Sequence, residues 1–116
     1  MNVTSVTVGF PVADLETAAA WYQAVFGLTS PDLEPAEGVI EFQLGPVWLQ
    51  LGTEPTSRTG AETVVRFGVR DAFAEHARLT ALGMEIGNVE SIPGAVDFFD
   101  LRDPDGNALS LYSERS

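Results

Sequence analysis

The strongest constraint on the fold of this chain is an internal repeat. A shift of 57 residues aligns an alternating apolar segment, and the aspartate after it, with a second such pair. The aligned positions are Val8, Phe10, Val12 and Asp14 in the first copy and Val65, Phe67, Val69 and Asp71 in the second. Alternation of this kind predicts a strand with one buried face. Since neither copy could bury its apolar face alone, the repeat predicts two modules that fold together.

Each predicted strand leads into a predicted helix. Asp14 and Asp71 are predicted to be the N-cap residues of these helices, because an aspartate side chain can accept a hydrogen bond from a free backbone N–H of the first turn. Apolar residues at helical spacing predict a first helix that ends near Phe26 and a second over about 72–82. A glycine follows each helix, as is common where a helix ends in the left-handed conformation.

More strands follow the first helix. Apolar alternation predicts strands at Val39–Leu44 and Val47–Leu51, joined by a tight turn into a hairpin. The polar residues 31–38 before this hairpin are predicted to be a loop.

The second copy ends with a strong turn signal, DPDGN, at 103–107. Pro104 fixes the backbone dihedral that the second position of a type I turn needs, and Gly106 can adopt the positive φ that closes the loop. Residues 97–102 and 108–113 are therefore predicted to be paired antiparallel strands.

These elements predict an α+β fold of two tandem βαβββ modules within a single domain, 1–116. Module one spans about 1–52 and module two about 63–116. Residues 53–62, rich in Thr, Ser, Pro and Gly, are predicted to be a linker.

The charge of the chain limits its partners. Seventeen acidic and six basic residues give a formal net charge of −11. Nucleic acids and anionic membranes would be repelled, because binding them depends on Lys and Arg. A cationic small molecule would be attracted, although the charge could also serve solubility alone. The chain has no Cys and no long apolar run or apparent leader, so a cytoplasmic location is expected.

The duplicated pattern, together with VADLETAAAWYQAVFGL (12–28) and FFDLRDPDGNALSLY (98–112), resembles the vicinal oxygen chelate superfamily. This superfamily includes glyoxalase I, bleomycin-resistance proteins and extradiol dioxygenases. The resemblance implies a curved mixed sheet around a concave cleft. In the enzymes of the family this cleft holds a divalent metal, with ligands from the first and last strands of each module.

The metal ligands of those enzymes are not present at the corresponding positions. By the resemblance, the four ligand positions correspond to Thr7, Gln50, Val64 and Ser110 in this chain. Divalent metal sites need carboxylates or imidazoles, and of these four only Gln50 is a credible ligand. We therefore expect neither a metal nor any other cofactor.

Strand alternation predicts the side chains that share the cleft face with these positions. The predicted ligand-binding residues are Thr7, Trp48, Gln50, Arg66, Phe98, Asp100, Ser110 and Tyr112. Some have other interpretations: Trp48 could cover the mouth of the barrel or pack in a dimer interface, and Arg66 could form an ion pair with Asp100. Tyr112 could act as a general acid, but no base is predicted beside it.

The resemblance points to the bleomycin-resistance branch. We expect a metal-free binding protein rather than an enzyme, one that sequesters a cationic aromatic antibiotic in its cleft and forms a homodimer. Two alternatives stay open. One is a metal-dependent enzyme with displaced ligands, drawn from Gln50, Glu41, Asp100 and His76. The other is a non-catalytic interaction scaffold.

Overall fold

The computed structural model describes residues 2–53 and 64–114. The chain divides into two compact units. Unit one comprises residues 1–59 together with 103–107, and unit two comprises 60–102 together with 108–116. Nearly all of the predicted linker, 53–62, lies outside the described residues, so the linker stays a prediction, as does the single domain.

The described residues of unit one form a four-stranded mixed sheet and one helix. Its elements are β1 (Val6–Pro11), α1 (Leu15–Phe26), β2 (Leu33–Ala36), β3 (Val39–Leu44) and β4 (Val47–Gly52). The strand order is β1-β4-β3-β2, with β1 parallel to β4 and the other pairs antiparallel.

Unit two repeats this topology. Its elements are β5 (Val65–Gly68), α2 (Ala72–Ala81), β6 (Glu90–Ile92), β7 (Val96–Arg102) and β8 (Ala108–Glu114). The order is β5-β8-β7-β6, again with one parallel pair, β5 with β8. The α+β class and the two tandem βαβββ modules are thus confirmed.

The two predicted helix starts are also confirmed. The side chain of Asp14 accepts a hydrogen bond from the backbone N–H of Thr17 at 3.0 Å. Asp71 accepts from the N–H groups of Phe73 and Ala74. Each aspartate satisfies donors that the first turn of a helix leaves without a partner, which is why both helices begin where the sequence predicts.

The prediction of a loop over 31–38 is wrong in part, because Leu33–Ala36 forms strand β2. All four residues of β2 are exposed. An edge strand held mainly by its backbone shows no apolar alternation, so the sequence gives no periodic signal for it. The exposed strand β6 was missed for the same reason.

The core of each unit lies between its helix and one face of its sheet, with α1 against β4 and α2 against β7 and β8. The buried apolar residues of unit one are Phe10, Val12, Ala18, Tyr22, Val25, Ile40, Phe42, Leu49 and Leu51. Those of unit two are Ala72, Leu79, Phe99, Leu101, Ala108, Leu109 and Leu111. The predicted apolar faces are buried on β3, β4, β7 and β8. On β1 and β5 they are less covered: Val8, Val65, Phe67 and Val69 are half-buried, and Val6 is 48% exposed.

The DPDGN turn packs with unit one. The hydroxyl of Tyr22, a fully buried residue of α1, donates to Asp103 Oδ2 at 2.7 Å. Asn107 Nδ2 donates to the carbonyl of Pro11 at 2.9 Å, and Asp105 Oδ1 accepts from the N–H of Ala13 at 2.8 Å. The turn predicted as a hairpin connection is present, and it also completes the polar interior of unit one.

Neither described helix is long and apolar enough to cross a membrane.

Candidate functional site

A polar face lies on the side of the unit-one sheet opposite the core. Strand register places Thr7 beside Trp48, Trp48 beside Gln43, and Gln50 beside Glu41. Cross-strand neighbours point to the same side of a sheet. We call this set the polar face of unit one; its members are Thr7, Glu41, Gln43, Trp48 and Gln50. It brings together the three predicted ligand-binding residues of module one.

A carboxylate–amide pair lies in the middle of this face. Gln50 Nε2 donates to Glu41 Oε2 at 2.8 Å, and both residues are half-buried. The amide oxygen of Gln50 extends towards β1, since a Cβ added at Gly9 would lie 3.5 Å from it. The bond holds the Glu41 carboxylate in a fixed position on the polar face.

Glu41 was considered as a displaced metal ligand, but it was not among the predicted ligand-binding residues. Two signals could have found it. Alternation along β3 buries Ile40 and Phe42 and therefore points Glu41 to the opposite face. The charge is also unevenly distributed: residues 1–53 and 103–107 contain eight Asp or Glu and no Arg, Lys or His.

The corresponding face of unit two carries charges of both signs. Register places Ser110 between Arg66 and Asp100. Both charged residues are exposed, and within residues 64–114 they do not form an ion pair with each other. Ser110 is fully buried and its Oγ donates to the carbonyl of Phe99 at 3.5 Å, so its hydroxyl is not open to a ligand in this conformation.

The two predicted aromatic residues of unit two lie side by side. Phe98 and Tyr112 are cross-strand neighbours, and both are half-buried. The Tyr112 ring extends over Gly68 of the edge strand β5, where an added Cβ would lie 3.1 Å from the ring and the hydroxyl. Among the described residues no carboxylate or imidazole bonds this hydroxyl, and nothing in the geometry supports a general acid here.

An open cleft of about 390 Å³ lies beside this face within unit two. It is lined by Val64, Glu85, Ile86, Gly87, Asp100, Leu101, Arg102, Ala108 and Leu109. Of the predicted ligand-binding residues only Asp100 reaches it. The segment 85–87 was not predicted as part of a site, because an irregular connection carries no periodic signal.

The residues at the metal positions of the fold do not fit a divalent metal. Val64 has no donor atom, and the Ser110 hydroxyl is buried. Thr7 offers a neutral hydroxyl, and the neutral amide oxygen of Gln50 is a single ligand, too few to hold such a metal. Within the described parts of the chain, no three side chains of His, Cys, Asp or Glu are grouped so as to hold a metal ion.

His76 does not supply a displaced ligand on this face. Its ring is half-buried, with Nε2 2.8 Å from the carbonyl of Gly87 and the ring edge-on to Phe99 at 5.2 Å. Phe99 and Asp100 are consecutive in a strand and point to opposite sides of the sheet. His76 therefore lies on the core side, away from Asp100.

The fold and these faces define a class: paired βαβββ proteins that lack the metal ligands of the related enzymes. A family model described as the Glyoxalase/Bleomycin resistance protein/Dioxygenase superfamily matches residues 4–111. The chain therefore belongs to this superfamily, which confirms the resemblance seen in the sequence. No match was found among curated protein sequences.

Several solved structures share the fold. A glyoxalase/bleomycin resistance protein from Catenulispora acidiphila is 23% identical, with a TM-score of 0.77 over 96% of this chain and 98% of its own. A lactoylglutathione lyase from Agrobacterium tumefaciens is 20% identical, with a TM-score of 0.75 over 93% and 91%. A fosfomycin resistance protein from Listeria monocytogenes is 17% identical, with a TM-score of 0.69 over 97% and 93%. At these identities the likeness shows the fold alone.

Proposed function

We propose that this protein binds a small molecule without the help of a divalent metal and does not transform it. The observation that carries the proposal is the residue set at the metal positions of the fold, Thr7, Gln50, Val64 and Ser110. An amide, two hydroxyls and an aliphatic side chain cannot replace the carboxylates and imidazoles that hold such a metal.

The remaining side chains on these faces suit ligand binding. Trp48, Phe98 and Tyr112 are half-buried, and each lies near polar groups on its own sheet. Aromatic surface beside a few fixed polar groups is the usual composition of a small-molecule site. The net charge of −11 favours a cation. A cationic aromatic antibiotic, sequestered by a homodimer, is the ligand and assembly that we propose.

A thermal-shift titration tests the absence of a metal. Chelator-treated protein is titrated with Mn, Fe, Co, Ni and Zn ions, and we expect no saturable change in the midpoint of unfolding. A metal present at a hundredfold excess over its dissociation constant would stabilise the folded state by about 2.7 kcal/mol. Such a shift at micromolar metal would overturn the proposal and favour an enzyme.

Titration of the same protein with flat aromatic cations tests ligand binding. We expect a rise in the unfolding midpoint that is lost in Trp48→Leu. Trp21→Leu is the matched control, because Trp21 lies on helix α1 and packs edge-on against Tyr22 rather than on the polar face. Equal binding by both variants would show that Trp48 does not contact the ligand.

A further inference from the structure

We propose that Glu41 is the charge anchor of the ligand site on unit one, and that the ligand presents a cation with N–H donors to its carboxylate. Amidinium, guanidinium and primary or secondary ammonium groups have this chemistry. The inference rests on the proposed function, because it specifies the ligand that the polar face of unit one would bind.

The Glu41 carboxylate is held in position, and no ion pair neutralises it among the described residues of unit one. Gln50 orients it through a neutral amide hydrogen bond of 2.8 Å. Residues 1–53 and 103–107 contain no basic side chain that could form an ion pair with it. A half-buried carboxylate has lost part of its hydration, and a ligand cation would replace the lost water with a charge-assisted hydrogen bond.

Trp48 supplies the second contact. It is the cross-strand neighbour of Gln43, which is two residues beyond Glu41 on the same face. Diagonal neighbours of this kind are about 7–8 Å apart, within reach of an aromatic side chain. A flat cation can therefore donate to Glu41 at one end and lie against the indole with its body.

The ligand-facing side of unit two does not offer this environment. Arg66 lies in the same row as Asp100, two strands away, and the adjacent cleft is lined by Arg102 as well as by Glu85. A cation approaching Asp100 would therefore meet positive charge nearby. The polar face of unit one is the surface that selects a cation.

The test uses benzamidinium as the probe and benzamide as its neutral analogue of the same shape. Both are titrated into the ¹⁵N-labelled protein, with the indole N–H of Trp48 and the side-chain amide of Gln50 as reporters in NMR spectra. We expect benzamidinium to bind more than about tenfold more tightly than benzamide, as a hydrogen bond to a charged group implies.

Glu41→Gln is the critical variant. A glutamine there keeps an oxygen to accept from Gln50, so the fold is retained and an unchanged unfolding midpoint checks this. We expect this variant to weaken benzamidinium binding more than about tenfold and to leave benzamide binding unchanged. Glu37→Gln is the matched control, because Glu37 is exposed in the β2–β3 turn and loses the same charge. It should bind both probes as the wild type does.

The outcomes separate the two proposals. Equal binding of benzamidinium and benzamide at Trp48, unaffected by Glu41→Gln, would overturn the role of Glu41 and leave the proposed function standing. Three other results would also overturn the role of Glu41. They are equal weakening of benzamidinium binding in Glu41→Gln and Glu37→Gln, chemical-shift changes confined to unit two, and no chemical-shift change with millimolar benzamidinium. Saturable metal binding would instead overturn the proposed function.

Discussion

The buried carboxylate of Asp103 accepts hydrogen bonds from four uncharged donors. Its Oδ1 accepts from the N–H groups of Asp105 and Asn107, and its Oδ2 accepts from Asn107 Nδ2 and the Tyr22 hydroxyl. These donors offset part of the cost of burying a negative charge. At the scale of single residues, each of these donors should contribute measurably to stability.

Replacement of Tyr22 by Phe should lower the free energy of unfolding by about 1–3 kcal/mol, because it removes one buried donor from the Asp103 carboxylate. Urea denaturation at pH 7 measures the change. Tyr112→Phe is the matched control, since Tyr112 is only half-buried, and it should change the free energy by less than about 0.5 kcal/mol. A similar loss in both variants would contradict the assigned role of the Tyr22 hydroxyl.

The same hydroxyl predicts a loss of stability in alkaline solution. Burial, followed by the hydrogen bond from Tyr22 to Asp103 and the charge of Asp103, raises the pKa of Tyr22 well above its ordinary value of 10.0. The unfolded chain therefore loses this proton first. The stabilisation is complete below about pH 10 and falls by about 1.4 kcal/mol per pH unit above it.

The chain suits this measurement because it has neither Lys nor Cys, and its other tyrosine, Tyr112, is common to wild type and variant. Urea denaturation between pH 9 and 11.5 should show a steeper decline for the wild type than for Tyr22→Phe. Parallel declines would show that Tyr22 ionises equally in the folded and unfolded states.

At the scale of elements, two edge strands place a glycine beside a long side chain of the neighbouring strand. A Cβ at Gly68 of β5 would lie 3.1 Å from the Tyr112 ring, whereas a Cβ at Gly9 of β1 would lie 3.5 Å from Gln50 Oε1. The first distance is tighter than ordinary van der Waals contact and the second is not. Gly68 thus lets the Tyr112 ring lie across the edge of its sheet.

Gly9→Ala should be neutral or stabilising by about 0.5 kcal/mol, because alanine restricts the unfolded chain and fits the site. Gly68→Ala should be less stable than Gly9→Ala by about 1 kcal/mol, because the Tyr112 ring must move. Urea denaturation measures both variants, and the ring-proton chemical shifts of Tyr112 should change only in Gly68→Ala. Unchanged shifts there would place the ring elsewhere.

The elements also show what sequence can predict. Apolar alternation and capping residues predicted both helices and most strands, since those signals arise from burial and local hydrogen bonding. The β3–β4 register could also have been predicted from the sequence. A two-residue loop after Leu44 pairs Leu44 with Val47 and so brings Glu41 opposite Gln50. The bonds between Asp103 and its own turn follow from the turn residues, whereas the burial of Ser110 and the bond from Tyr22 to Asp103 could not be predicted, because they depend on packing between distant segments.

At the scale of the whole molecule, the net negative charge is concentrated in unit one, which has nine acidic residues and one arginine against eight and five in unit two. Its residues 1–53 and 103–107 carry eight acidic side chains and no basic ones. Repulsion among them opposes folding and is weakened by salt, because the screening length falls from about 30 Å at 0.01 M to about 10 Å at 0.1 M.

The urea midpoint should therefore rise between 0.01 and 0.1 M NaCl. A double variant, Glu34→Gln with Glu37→Gln, removes two exposed charges of unit one and should show a smaller rise. An equal rise in both proteins would mean that these acidic residues do not oppose folding.

The packing of the DPDGN turn with unit one has a consequence for the synthesis of the chain. Residues 103–107 are translated about 50 residues after Thr53, a delay of roughly 3–10 seconds at typical rates. During that interval the Tyr22 hydroxyl and the carbonyl of Pro11 lack the partners that they have in the finished molecule. The polar interior of unit one is therefore completed only after most of the second half of the chain has been translated.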